Sequence, residues 1–418
     1  MINLNKNKSY CPFIFRAANM TVPHAEIVPC CRYDRKYGNS NHVKSFENGY
    51  ESLWSDIRKK AIDGEPIQGC WRCYKEEEAG LSSMRTRAMN SKSNPNKEVP
   101  YSPYHYQQLE FFEIQTGRYC NLKCRSCGPN LSTTWDQDLD KDQNAVRNFF
   151  GNDTYVYDKL KTLPKTNKEL SNISYDVVKH LKNVKATGGE PFLNDEFQFF
   201  LANLVKWDLA KNINIEVFTN CSFFPKDAFR KLLPKFKTVK ITLSLDAIKS
   251  RADFLRKGSQ WPKVLDSATN WKQFSSQHQN IWLSVSHTIS IFNVLYMKEF
   301  ILWMADFFKH EISNKKFDFD PHLCSSPQYL AIYNHKNKVK DKILSTIEHD
   351  YKNLAETHNN NLYLSYFINE FYTLVTKSLK TDNADLSEEL FEKTKLFDTI
   401  RNENWRQTFP ELAEILDE

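Results

Sequence analysis

Leu109-Glu-Phe-Phe-Glu-Ile-Gln-Thr116 and, four residues on, Cys120-Asn-Leu-Lys-Cys124-Arg-Ser-Cys127 form the stretch on which the fold turns. The first run is β-rich, and it opens a series. Similar runs follow at Asn183 to Thr187, Ile213 to Thr219, Thr238 to Leu245, Trp282 to Ile289 and Phe317 to Leu323. Between them lie amphipathic stretches at Asp195 to Trp207, Pro225 to Leu233, Trp261 to Phe274 and Val294 to Phe308. Strand and helix alternating at this spacing predict βαβ units and a parallel sheet. Six repeats are too few for a full eight-stranded barrel. They predict a partial (β/α)6 TIM-like barrel over residues 105–326. The polar segment Asp138 to Ser171 is too long for an ordinary connection and reads as an insertion.

The three cysteines after the first strand carry the chemistry. At spacings of four and three, their thiolates can turn inward around one 4Fe-4S cubane and hold three of its irons. The fourth iron stays open, and an open coordination position is where a substrate or cofactor binds. Zinc is the competing reading, but a zinc site wants a fourth protein ligand, and none follows Cys127. The second strand ends in Thr187-Gly-Gly-Glu-Pro191. Its glycines let main chain approach a ligand closely, and Glu190 offers a carboxylate to an ammonium group. An ordinary strand-to-helix turn is the plainer alternative. In parallel α/β folds ligands gather at the carboxyl ends of strands, where both motifs fall.

With these two motifs in place, the chain resembles the radical S-adenosylmethionine enzymes, over residues 105–326. The resemblance implies that Cys120, Cys124 and Cys127 ligate the cluster and that Gly188, Gly189, Glu190 and Pro191 hold the methionyl amino group. It implies that Asn220 helps place the ribose, and that Ser244 and Arg256 approach the methionyl carboxylate. An arginine fork matches a carboxylate, although a surface salt bridge is the plainer role for Arg256. The implied chemistry is reductive cleavage of S-adenosylmethionine to a 5′-deoxyadenosyl radical that takes hydrogen from substrate. An electron donor such as flavodoxin or ferredoxin is implied as a partner. Ser126 departs from the family, which commonly has an aromatic residue before the third cysteine.

The front of the chain carries a second pattern. Eight of ten cysteines fall within the first 127 residues. Cys11, Cys30 and Cys31, then Leu53-Trp54 and Arg58, then Gly69-Cys70-Trp-Arg-Cys73 resemble the auxiliary-cluster domain, SPASM or twitch, of radical enzymes that modify peptides and proteins. That module usually follows the barrel; here it precedes it, over residues 1–90, and Ala25 stands where it usually has glycine. The resemblance implies a second 4Fe-4S cluster held by Cys11, Cys30, Cys70 and Cys73, with Cys31 as an alternative to Cys30. A structural zinc site made by four cysteines is the competing metal-binding reading. The run Ser52 to Asp63 predicts a helix stopped by Gly64. Ser91 to Pro103 reads as a linker.

Residues 327–418 have no strand pattern and predict helices around His335–Ala355, Leu362–Leu379 and Leu386–Ile400. The ending Phe397-Asp398, Arg401 and Phe409-Pro410-Glu411-Leu412 resembles twitch-type tails and is assigned a packing role. Cys221 and Cys324 lie near strand ends and read as buried apolar groups. Asp246, Asp320 and His322 are possible proton handlers there, and His287 reads as a core histidine.

Composition agrees with a globular enzyme: 40% hydrophobic, 14% aromatic, net charge +6 over 418 residues. Charge is scattered, which argues against a nucleic-acid face. The start, Met1 to Tyr10, lacks the apolar core of a signal peptide, and no run approaches the ~20 apolar residues of a membrane span. The expectation is a cytoplasmic enzyme whose clustered thiols bind metal. Its expected substrate is a peptide or protein. A small sugar or nucleotide substrate, or a non-catalytic zinc- or cluster-binding protein, are the alternatives.

Overall fold

The computed structural model describes residues 8–21, 26–78, 82–90, 108–151, 155–357, 362–381 and 384–417. The predicted linker 91–103 and Ala25 lie outside them. The chain divides into two compact units interleaved along the sequence. The first comprises Met1–Arg118, Leu163–Val217 and Lys226–Val239; the second comprises Tyr119–Thr162, Phe218–Pro225 and Lys240–Glu418.

Among the described residues nine strands form one mixed sheet. The six strands read from sequence are β4 (Phe111–Gln115), β5 (Asn183–Thr187), β6 (Asn214–Thr219), β7 (Thr238–Ser244), β8 (Ile281–Ile289) and β9 (Phe317–Leu323). They stand in chain order, as a (β/α)6 series requires, and β4-β5, β5-β6 and β8-β9 pair in parallel. The α/β class is as the alternation predicted. The front segment adds three strands that its short runs do not announce: β1 (Ala17–Thr21), β2 (Glu26–Val28) and β3 (Asn41–His42). β1 joins the sheet parallel to β4, with Ala17 opposite Phe111, while β2 and β3 extend the edge antiparallel.

Within the first unit the strand register sorts the side chains. Phe112, Val184 and Ile215 are neighbours across β4, β5 and β6 and are buried. The intervening Glu113, Lys185 and Glu216 share the opposite face, with Lys185 Nζ 3.5 Å from Glu113. The period of two across a pleat separates the apolar and charged faces. Helix Asp195–Lys206 packs Phe197, Phe200, Leu201 and Leu204 inward at helical spacing. It starts where Asn194 accepts a 2.8 Å bond from the Phe197 amide, an N-cap reinforced by Asp195 and Glu196 in the first turn.

In the front segment the helix runs Ser55–Asp63, not from Ser52, because Trp54 turns left-handed at φ 55°. Gly64 ends it at φ 78°, its amide bonding Lys60 O. Ile57 and Ala61 are buried on its inner face, and Leu53 is buried just before it. Beyond β9 the described residues hold helices and no strand, chiefly Asn337–Thr357, Leu362–Leu379 and Ser387–Arg401. Among the described residues no helix is long and apolar enough to cross a membrane.

Candidate metal and cofactor sites

The three-cysteine loop lies in the second unit and closes on itself. Cys120, Leu122 and Cys124 pack together as a buried cluster, and Cys127 packs against them. The Cys127 amide bonds Cys124 O at 3.1 Å, which turns the last thiol back toward the others. The loop also has a partner segment, Leu255 to Gly258. The amides of Lys123 and Arg125 donate to Lys257 O and Leu255 O, each at 2.8 Å. This two-residue alternation sets Cys124 opposite Arg256, and Arg256 Nη1 lies 4.0 Å from Cys124 Sγ. Arg256 is held in place by Asp246, 2.8 Å away. Gly258 is needed to finish the segment. Its φ is +100°, and a Cβ there would lie 3.1 Å from Asn121 O.

Burial pushes the Cys124 thiol up, while the Arg256 guanidinium opposes it and Asp246 adds to it. Burial, followed by the charge of Cys124, pushes Cys127 up to about 12. These sulphurs therefore favour the protonated form until a cation takes the protons' place. Asn220 Nδ2 lies 3.7 Å from Cys120 Sγ and donates to Asn121 Oδ1 at 2.9 Å. The predicted ribose-placing residue thus stands beside the first cysteine. Ser244 ends β7, half-buried.

The Gly-Gly-Glu-Pro turn belongs to the first unit. Gly188 has φ +108°, and a Cβ would meet the Thr116 amide nitrogen at 2.8 Å, so only glycine fits. The Gly189 amide donates to Gly117 O at 2.7 Å. Glu190 is fully buried, and its Oε1 accepts from the Phe192 amide at 3.2 Å, capping the turn Pro191–Leu193. That contact is with the protein's own backbone, a part the motif does not disclose. What the two glycines present is main chain.

The front cysteines meet in the first unit. Cys11, Cys30, Cys70 and Cys73 line one solvent-open cavity, together with Met84 and Arg85. Burial pushes Cys11 up to about 12, with Cys70 adding to it, and Cys70 up to about 12, with Cys30 adding. Burial and then Cys11 push Cys30 well above its ordinary value. Arg85 opposes the rise at Cys11 and Cys70. It is buried, donates to Tyr10 O at 3.1 Å and is held by Glu77. Cys31 is not among the lining residues: it is exposed, with its Sγ 3.9 Å from Met84 Sδ. Of the two adjacent cysteines, Cys30 is the one that joins the cavity.

Among the described residues, no group of three or more His, Cys, Asp or Glu is arranged to hold a single metal ion. Both donor sets are sulphur only and largely buried, and none of the ten cysteines is in a disulfide. Such sets fit thiolate-held iron–sulphur clusters.

The remaining sequence candidates are placed as follows. Cys221 is fully buried, its Sγ 3.6 Å from Ser267 Oγ, and Cys324 is buried with its Sγ 3.5 Å from Ser326 O. His287 is a core histidine, with Nδ1 2.9 Å from Leu245 O and a pKa pushed down to about 4 by burial. Asp246 is committed to Arg256 and to the Thr288 amide at 2.9 Å. His322 Nε2 lies 3.0 Å from Thr288 Oγ1. Sequence reasoning gave no part in the site to Lys123, Arg125, Asp138 or Glu403, and only a packing role to Asp398 and Arg401; the six surround the cysteine loop with largely buried ion pairs. The available signal was two cations placed between closely spaced cysteines.

No family model matches the chain, and no curated protein does. Among solved structures it is similar to native anSMEcpe with bound AdoMet and Cp18Cys peptide, at 16% identity and TM-score 0.35 over 60% of this chain and 61% of that one. It is similar to Streptococcus suis SuiB bound to S-adenosylmethionine, at 17% identity and TM-score 0.32 over 72% of this chain and 60% of that one. It is also similar to SuiB bound to precursor peptide SuiA, at 17% identity and TM-score 0.32 over 84% and 66%. The chain spans about three fifths of the length of the first two.

Proposed function

We propose that this chain is a radical S-adenosylmethionine enzyme that acts on a peptide or protein. The observation that carries the reading is the packing of Cys120, Cys124 and Cys127 from one short loop, with Arg256 4.0 Å from the middle thiol. The three cysteines would hold a 4Fe-4S cluster and leave one iron for the amino and carboxylate groups of the cofactor. Bound there, cluster and cofactor would supply the chemistry for taking hydrogen from an unactivated position. The chain's own residues bind and orient. Asn220 would receive the ribose. Arg256 and Ser244 would face the carboxylate, with Asp246 holding the guanidinium in register.

Cys11, Cys30, Cys70 and Cys73 would hold the auxiliary cluster. Four thiolates close such a cluster and suit it to electron transfer. This front module supports the peptide assignment, because it resembles the one found in peptide-modifying members of the family. Ten cysteines with no disulfide among them suit a reducing compartment, taken to be the cytoplasm, with flavodoxin or ferredoxin as reductant.

The test is anaerobic reconstitution followed by iron and acid-labile sulphide analysis, then incubation with dithionite and S-adenosylmethionine. The expected result is 5′-deoxyadenosine from wild type and none from Cys124→Ala. A wild-type protein that binds zinc without sulphide, or makes no 5′-deoxyadenosine, rejects the proposal.

A further inference from the structure

The cysteine loop has two sides, and Arg256 occupies only one. Cys124 faces Arg256; Lys123 and Arg125 face away, into the C-terminal part of the second unit. There Arg125 is gripped by Asp398 and by Glu403 at 2.8 Å, and its guanidinium lies 3.9 Å over the Phe254 ring. Glu403 extends its other oxygen to Lys257 at 3.0 Å, so one carboxylate ties both the loop and its partner segment. Lys123 pairs with Asp138, which also takes Arg401 Nε at 2.7 Å. Asp138 and Arg401 are fully buried at their side chains. Asp398 in turn accepts from the Trp405 amide at 2.8 Å and bonds the Glu403 amide through its carbonyl at 2.9 Å.

Buried ion pairs contribute little net stability compared with apolar packing, yet removing one partner is costly because a charge is stranded. Seven charged side chains around a metal loop are therefore better explained by placement than by stability. We propose that segment 398–403 of the C-terminal region, acting through Lys123 and Arg125, is the positioning device that fixes the cysteine loop before metal arrives. Rigid surroundings spare the loop its ordering cost on binding. Lys123 and Arg125 are thus positioning residues. The inference rests on the proposed cluster-binding role of the loop.

The test begins with metal-free, reduced full-length protein and iodoacetamide, mapping alkylation site by site in wild type and in the double variant Asp398→Asn, Glu403→Gln. The expected outcome is about tenfold or faster alkylation of Cys124 in the variant, since losing buried charge partners frees the loop. Cys221, also buried in the same unit, should stay slow in both proteins. The reconstituted variant should bind iron but show an altered spectral response of its cluster to S-adenosylmethionine. Arg125→Lys, which keeps the charge but not the fork, should fall between. Equal alkylation of Cys124 in wild type and variant overturns the proposal, as does matching acceleration of Cys221, which would mean general loosening. A wild-type chain that never takes up a cluster defeats the proposed function instead, and the alkylation result still decides this inference.

Discussion

A methyl group at Gly188 would strike the Thr116 amide nitrogen at 2.8 Å, whereas one at Gly128 would find nothing nearer than Phe149 at 3.6 Å. The two glycines therefore predict opposite outcomes. Gly188→Ala should lower stability by about 1–2 kcal/mol from the left-handed backbone alone, with crowding added. Gly128→Ala should change little. Urea midpoints of the two variants against wild type decide the point. His287 and His335 are buried, and burial pushes each down to about 4. Their folded pKa lies below the ordinary value near 6.5, so the unfolded chain binds protons first as pH falls. The stability they contribute is complete above about pH 6.5 and is lost between there and about pH 4. At pH 5 each accounts for a loss of about 2 kcal/mol. Urea unfolding at pH 7 and pH 5 should show a smaller drop in His287→Asn, His335→Asn than in wild type.

At the scale of elements, the site depends on how the cysteine loop pairs with Leu255 to Gly258. Gly258→Ala should push on Asn121 O and disturb that pairing. Its expected signature is loss of roughly half the iron, because the front thiols belong to another element set and, on the proposed reading, would hold a four-iron group of their own. Full iron content in the variant would contradict this. Much of the site was legible beforehand. The cysteine spacing, the Gly-Gly-Glu-Pro turn and Arg256 are all local patterns, and β4 to β9 are long enough for side-chain alternation to register. β3 has two residues and β2 three, too few for any period to stand out. The two cations between the cysteines were there to be read, but their acidic partners were hidden for a different reason. Arg125 and Glu403 are 278 positions apart, and charge complementarity over that separation leaves no local trace. That Glu190 caps its own turn was also hidden, because a side chain bonding the main chain two residues on looks the same in sequence as one that binds a ligand.

At the scale of the whole molecule, the two thiol sets lie in different compact units, the front four in the first and the loop three in the second. Each has its own arginine, Arg85 for the front cavity and Arg256 for the loop. Separate surroundings predict separable losses. On the proposed function, Cys70→Ala should prevent a front cluster and leave one on the loop, so dithionite and S-adenosylmethionine should still give 5′-deoxyadenosine in the absence of substrate. Turnover of a peptide substrate should fall, because the front group is assigned to electron transfer and not to cofactor cleavage. Cys124→Ala should do the reverse, keeping the front iron and losing cleavage outright. The two variants must therefore separate on two axes, iron by spectroscopy and 5′-deoxyadenosine by chromatography. If Cys70→Ala turned over substrate as fast as wild type, the front cavity would be structural, and a closed thiolate site with no redox part in the reaction would be the better description of it.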